Sequence, residues 1–391
     1  MKKGWVTKSL GDICQLISGQ HIDARDYNME SRGVGYLTGP SDFGPSNPVI
    51  TKWTEHPKIK AKRGDVLITV KGSGVGKINL LDEDEVAISR QLMAVRVTGA
   101  EPRFVHAILS STFDHFQSLS TGAAIPGISR DQVLGLKIAI PPLAEQQRIV
   151  GLLDEAFEGL ATAKTNADKN LKNARALFES HLQSVFTQRG PGWVEKRLAD
   201  VADFKNGLNF TRQSDGQTLR MVGVGDFQDH SIVPIETLQS VTIDGKLSDD
   251  YLIRRNDILT VRSNGSKDLV GRCMLVPDVD GMTSFSGFII RIRFDTRVIS
   301  SRFMLHFMKS SATRDRLMRD GGGANISNIN QAKLAELPVS LPSFSRQEEI
   351  ANRLDDLREE TQRLDRLYSR KLAALEALKK SLLHRAFSGQ L

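Results

Sequence analysis

From Leu143 onward, apolar residues return every three or four positions: Ile149, Leu153, Ala156, Leu160, Ala163, Ala167, Leu171, Ala174, Phe178, Leu182 and Val185. That spacing marks one face of an α-helix. Pro141-Pro142 precede the run and Arg189-Gly190-Pro191-Gly192 stop it, so one uninterrupted helix is expected over residues 143–189. A second run repeats the rhythm at Ile350, Leu354, Leu357, Leu364, Leu367, Leu372, Leu375, Leu378 and Leu382. It predicts a helix over 343–391, opened by Ser345 and Glu348 as an S-x-x-E capping box. At 1.5 Å rise per residue each helix is a rod of roughly 65 Å. A lone amphipathic rod of that length cannot bury its stripe. The two are therefore expected to pair antiparallel about a pseudo-two-fold axis, each bearing a globular domain at its own N-terminal end.

The rest of the chain carries a different pattern. Short runs rich in Val, Ile and Thr partly alternate, as in GDVLITV and VAISRQLMAVRV before the first rod and NDILTVR and FSGFIIRIRF before the second. One helix is expected after each set, around Phe104 to Leu119 and around Phe303 to Met318. The fold class is mixed α/β, with two strand-rich domains over residues 1–142 and 190–342.

These halves are copies of each other. GWVTKSLGDI at Gly4 returns as GWVEKRLADV at Gly192, so Trp5 answers to Trp193 and Asp12 to Asp200. YLTGPSDF at Tyr36 resembles RMVGVGDF at Arg220, and RGDVLITV at Arg63 resembles RNDILTVR at Arg255. IPPLAEQQRIVGLLDE at Ile140 returns as LPSFSRQEEIANRLDD at Leu341, and Phe186 answers to Phe387. The offset is 188 at the first match and a constant 201 from Thr121 onward. A period this long is a domain duplication, not a solenoid of short repeats. The early loops have drifted in length and the helices have not, which is how variable surfaces are set on a fixed frame.

Composition and charge narrow the function. The 391 residues are 40% hydrophobic and 25% charged, with a net charge of +7. A basic balance favours an acidic partner such as nucleic acid. Two distant cysteines, Cys14 and Cys273, and an N-terminus without an apolar core point to a cytoplasmic protein with structural thiols and no membrane segment. Catalytic patterns fail one by one. KGSGVGK, Lys71 to Lys77, has Lys71 where a phosphate loop needs glycine and Ile78 where it needs Ser or Thr. The lone Pro141-Pro142 lacks the neighbours of a D/N-P-P-Y/F methyltransferase motif, and Asp82-Glu83-Asp84-Glu85 reads as a solvated turn. The eight histidines have no ligand spacing. No enzyme activity, cofactor or metal is expected.

What remains is cations and amides on predicted loops. In the first copy these are Lys71, Ser73, Lys77, Arg90 and Gln91, with Arg130 closing the loop Ser120 to Arg130. In the second they are Arg262, Ser263, Asn264, Lys267 and Arg272, with Asn325 and Asn328 in the matching loop Asp320 to Asn330. Arg reads guanine and Asn or Gln reads adenine in the major groove, while Lys and Ser hold phosphates, so these residues are the candidate DNA-binding set.

Two variable domains, each followed by a near-repeated long helix opening at P-x-x-x-x-Q, resemble the specificity subunit of type I restriction-modification systems. The resemblance spans essentially the whole chain and rests on PPLAEQQRIV with LPSFSRQEEI, the repeated tryptophan openings and the G-A-x-I loops. It implies target-recognition domains at 1–142 and 190–342 and spacer helices at 143–189 and 343–391. Each domain would read one half of a split double-stranded DNA target, with the paired helices fixing the gap. It further implies docking of two methyltransferase subunits and recruitment of restriction/translocase subunits, with no catalysis by the specificity subunit itself. The contrasting expectation is a coiled-coil protein-interaction scaffold without DNA specificity.

Overall fold

A computed structural model describes residues 4–121, 126–209, 215–228, 230–319 and 328–391. Two compact units divide the chain: residues 1–168 with 370–391, and residues 169–369. Eight α-helices are named here in chain order: α1 (Pro102–Ser111), α2 (Phe113–Leu119), α3 (Arg130–Leu134), α4 (Leu143–Thr187), α5 (Ser301–Lys309), α6 (Ser311–Arg319), α7 (Gln331–Ala335) and α8 (Phe344–Phe387).

In the first unit an antiparallel sheet has the order Cys14–Ser18, Leu92–Val97, Val66–Thr69, Ile78–Leu80. A second sheet pairs Val34–Leu37 in parallel with Glu85–Ile88 and is flanked by Trp53–Thr54 and Lys60–Lys62. Val6–Ser9 pairs with Lys137–Ile140 beside the start of α4. The second unit repeats the plan. Its antiparallel sheet runs Ala202–Asn206, Ile289–Phe294, Ile258–Val261, Cys273–Leu275. Gly216–Val222 lies between Gln239–Asp244 and Thr283–Phe285, again with one parallel pairing, and Val194–Arg197 pairs with Pro338–Leu341.

VAISRQLMAVRV is thus two strands in two sheets, because Ser89 to Gln91 leave the ladder, and FSGFIIRIRF divides in the same way at Ser286 to Phe288. Each expected single helix is also two. Ser310 is extended (φ −61°, ψ 141°) and its hydroxyl bonds the Phe307 carbonyl and Thr313, which separates α5 from α6. Thr112 makes the corresponding break between α1 and α2.

The strand turns are built alike. Gly64 (φ 85°) and Asn256 (φ 69°) take the left-handed conformation that the tight turn needs. Asp65 accepts from the Lys62 N–H and pairs with Arg96, with Nη2 at 2.7 Å. Asp257, almost fully buried, accepts from the Arg254 N–H at 2.7 Å and from Arg293 Nε and Nη2, both at 2.7 Å. The repeated R-x-D is a turn locked to the neighbouring strand.

The rods pair antiparallel inside each unit. In the first, Lys379 lies over the Phe157 ring and Lys164 bonds Glu376 at 2.7 Å. In the second, Arg175 bonds Asp365 at 2.5 Å, and Leu182 is buried with Ile350 and Leu354. The predicted stripe of α4 is the one that faces inward. On α8 two predicted members, Leu367 (51% exposed) and Leu378 (48%), face out, and the neighbouring Tyr368 is half-buried. Each strand-rich core takes both rods. Phe104 is buried against Phe387 (5.6 Å, edge-on) in the first unit, and Phe303 meets Phe186 (5.2 Å) in the second. The C-terminal end of a rod therefore packs on a strand-rich core as well as the N-terminal end, which a single domain per rod does not describe.

The P-x-x-x-x-Q entry now has a physical reason. Gln146 and Gln347 are buried (3% and 2% exposed). The Gln146 Oε1 accepts from the Glu101 N–H at the head of α1 (2.8 Å), and its Nε2 donates to the Pro141 carbonyl (2.8 Å). Gln347 does the same to Ser300 N–H (2.9 Å) and the Pro342 carbonyl (3.0 Å). Buried polar groups need partners, and each amide satisfies two otherwise orphaned backbone groups at once. Arg103–Asp154 (2.9 Å) and Arg302–Asp355 (3.0 Å) brace the same junction about two turns further along each rod. This clasp starts α8 at Phe344, so Ser345 lies inside the helix and does not cap it. Both rods end before the last expected residues, at Thr187 and Phe387.

Candidate nucleic-acid interface

The glycine-rich run is a hairpin between Val66–Thr69 and Ile78–Leu80. Thr69 N–H donates to the Lys77 carbonyl (2.9 Å) and Gly76 N–H to the Thr69 carbonyl (2.9 Å). Gly72 (φ 93°) and Gly76 (φ 82°) take backbone angles that side chains disfavour, so the tip stays small and tightly turned. Pro126 to Ile128 brace it: Gly72 N–H bonds the Pro126 carbonyl, Ile128 N–H bonds the Val70 carbonyl, and Lys71 bridges Gly127. Val70 N–H bonds the Gln91 carbonyl (2.8 Å), which draws Arg90 and Gln91 to the same end of the sheet. Lys71, Ser73, Lys77, Arg90 and Gln91 are all exposed there. The five predicted residues converge.

Arg130 reaches that end too, but its guanidinium is engaged, with Nη1 on Ser18 Oγ and Nη2 on the Leu16 carbonyl, both at 2.7 Å. It holds the first residue of α3 to the edge of the sheet.

The second unit builds the counterpart with the same hydrogen bonds. Ile329 N–H bonds the Arg262 carbonyl (2.8 Å), Arg262 N–H bonds the Phe288 carbonyl (2.9 Å), and Ser263 bridges Asn328. Gly271 N–H bonds the Val261 carbonyl (2.9 Å). These bonds fix the correspondence: Ser263 stands where Lys71 stands, Arg272 where Lys77 stands, and Phe288 where Gln91 stands. The second loop, Asn264 to Val270, is longer than Gly72 to Val75. Asn264 folds over its own chain, its Oδ1 accepting from the Ser266 N–H (2.8 Å), and Lys267 and Asn328 are exposed. Arg262 is half-buried, and its Nε has no partner among the described residues. Arg272 is held by the Phe227 carbonyl (3.2 Å) and the Asp268 carbonyl (3.0 Å). Asn325 lies outside the described residues.

Phe288 is the member that the pattern of cations and amides missed. It is 60% exposed beside Arg262, an unusual place for a phenyl ring, and suits stacking or contact with a thymine methyl. Its signal in the sequence is Ser286-Gly287, which interrupts an otherwise continuous apolar strand.

Among the described residues no cluster of His, Cys, Asp and Glu is spaced to hold a metal ion, and no helix is long and apolar enough to cross a membrane. Both cysteines are buried, and burial pushes the Cys14 thiol up to about 12.

A family model for the type I restriction modification DNA specificity domain matches residues 2–172 and again 191–369. The chain belongs to this family. The family model thus matches twice, once within each copy of the repeated unit. Among relatives, the specificity subunit of the type I restriction enzyme StySPI from Salmonella potsdam is 28% identical over 304 residues, 74% of this chain and 65% of that subunit. The match therefore spans just under two thirds of that relative. The EcoKI specificity subunit of Escherichia coli K12 is 25% identical over 206 residues, 51% of this chain and 43% of that one. The fold is that of the HsdS subunit from Thermoanaerobacter tengcongensis, at TM-score 0.64 and 20% identity over 100% of this chain and 98% of that one. A chain from a structure concerned with complex assembly and conformational transition of the type I R-M system superposes at TM-score 0.77, with 20% identity over 100% and 99%.

Proposed function

We propose that this specificity-domain protein is the non-catalytic sequence-reading subunit of a type I restriction-modification complex. The strand-rich domains at 1–142 and 190–342 each read half of a bipartite double-stranded DNA target. The paired helices set the gap between halves and dock two methyltransferase subunits, and restriction/translocase subunits join the assembly. Methylation and cleavage belong to those other subunits.

The observation that carries this reading is the pair of matched loop clusters. Each domain gathers cations and amides at one end of its antiparallel sheet, on corresponding backbone hydrogen bonds but with loops of different length and different side chains at matching positions. Same frame and different lettering is what two half-sites of different sequence require. Docking of two identical partners is supported by Leu177 and Leu378, which are 58% and 48% exposed on α4 and α8 and are separated by the same offset of 201. Equivalent apolar positions left exposed on both copies suit one kind of partner bound twice.

The test is co-expression with the neighbouring methyltransferase subunit and mapping of adenine methylation across the host genome. One bipartite motif with a constant gap is the expected outcome. Methylation that persists unchanged without this chain would sink the proposal. Within the assembled complex, Lys71→Ala and Arg262→Ala are each expected to lower the slope of log affinity against log salt by about 1 if the cation neutralises a phosphate. Affinity and slope unchanged in both variants would move the interface away from these loops.

A further inference from the structure

The second unit contains a cleft of about 330 Å³ next to the reading loop, walled by α5, α8, the α4 segment Phe178 to Leu182, and residues on either side of the strand Cys273–Leu275. Four cations line it: Lys309, Arg358, Arg272 and Arg314, all half-buried. Lys309 Nζ and Arg358 Nη2 converge on one oxygen, Ser231 Oγ. Arg272 and Arg314 are fixed at its rim by backbone carbonyls, Arg314 Nη2 reaching that of Asp268 at 2.7 Å. Among the described residues, Glu179 is the one acid on the lining, and Asp355 nearby is engaged by His306 (2.7 Å) and Arg302 (3.0 Å).

Two like charges brought to one neutral hydroxyl in a half-buried cleft repel each other and lose hydration. The cost shows in the groups themselves. Burial and then the neighbouring Arg358 push the Lys309 ammonium down to about 8, and burial pushes the Arg358 guanidinium below its usual value. Nothing in the scaffold requires this arrangement. At the positions of Lys309, Arg314 and Arg358 the first unit carries Ser110, Phe113 and Phe157, so that of the four cations Arg272 alone has a cationic counterpart, Lys77. Phe157 packs against the core with Lys379 over its ring. A cation cluster present in one copy and absent from the other points to a ligand.

We propose that this cleft binds a phosphoryl group, with Lys309 and Arg358 as its principal donors and Ser231 marking the point on which its oxygens centre. A phosphoryl anion accepts several charge-assisted hydrogen bonds and offsets the repulsion between the two cations. Its source is a free phosphate or the DNA backbone, and the assignment stands without the sequence-reading role.

The experiment follows thermal unfolding of the full chain as inorganic phosphate is titrated at ionic strength held constant with chloride. Wild type is expected to unfold at rising temperature and to saturate, because a ligand of the native state stabilises it. Lys309→Met and Arg358→Met are each expected to weaken phosphate binding at least tenfold while unfolding no earlier than wild type in chloride. Ser231→Asp provides an internal carboxylate and is expected to abolish the phosphate response while unfolding later in chloride. A duplex DNA titration separates the sources: affinity lowered in both methionine variants, with no phosphate response in wild type, assigns the site to the backbone. A phosphate response in wild type that the variants lose, with DNA affinity unchanged or absent, assigns it to a free phosphate. The same phosphate response in wild type and all three variants, with DNA affinity unchanged, overturns the proposal.

Discussion

Asp257→Ala is expected to destabilise the second unit by about 3–5 kcal/mol, the usual consequence of removing one partner from a buried ion pair. The carboxylate is almost wholly enclosed (1% exposed) and binds both Arg293 nitrogens and the Arg254 N–H. Its loss strands a guanidinium that is itself 22% exposed and unties the turn that starts the strand Ile258–Val261. An arginine keeps its proton at any ordinary pH, so Arg293 does not escape the loss of Asp257 by becoming neutral. Asp65→Ala removes the equivalent pair in the first unit, where Arg96 is 31% exposed and better hydrated, so its effect is smaller. Hydrogen exchange reads the two separately. Protection at Ile258 to Val261 should collapse in the first variant while Val66 to Thr69 keep theirs. Undiminished protection at Ile258 to Val261 would show that the ion pair does not hold the strand.

Lengthening the rods is expected to change which DNA is modified. Seven residues added to both helices, between Asp168 and Lys169 and between Ser369 and Arg370, preserve the inward stripe because a heptad is close to two full turns. The Lys164–Glu376 and Arg175–Asp365 pairs are kept, provided both helices grow together. About 10 Å is added at 1.5 Å per residue, which corresponds to about three base pairs at 3.4 Å each. Methylation mapping should then return the same two half-sites with a longer gap. The original gap, recovered with undiminished methylation, would mean that the helices do not measure it.

Much of this architecture is legible in the chain because duplication writes every signal twice. The matched openings at Gly4 and Gly192, the R-x-D turns and the constant late offset mark two copies of one unit, each ending in a long helix. What escaped reading depends on small angular or conformational choices. Leu367 and Tyr368 differ by one step on the helix, and a spacing of three from Leu364 selects the wrong one. The surplus leucine at 378 was likewise read as core when it faces out. In the loops, charge alone does not separate cations held by their own unit from cations left exposed. Arg130 and Arg272 look like Lys71 in the sequence, yet their guanidinium groups lie against a hydroxyl and carbonyls of the same unit. Phe288 was hidden for the opposite reason, since an apolar residue in an apolar run carries no sign that it points outward.

The buried glutamines speak to none of the side chains of the domain they hold. Gln146 grips an N–H and a carbonyl, and so does Gln347. Such a grip is indifferent to lettering, because every residue but proline presents the same amide hydrogen. A spliced-in domain keeps this part of the joint whatever its sequence, while Arg103–Asp154, Arg302–Asp355 and the packing of Phe104 and Phe303 ask it to keep those side chains. If the domains read DNA as proposed, exchange of a whole domain at this one boundary would be expected to change the target in a single step.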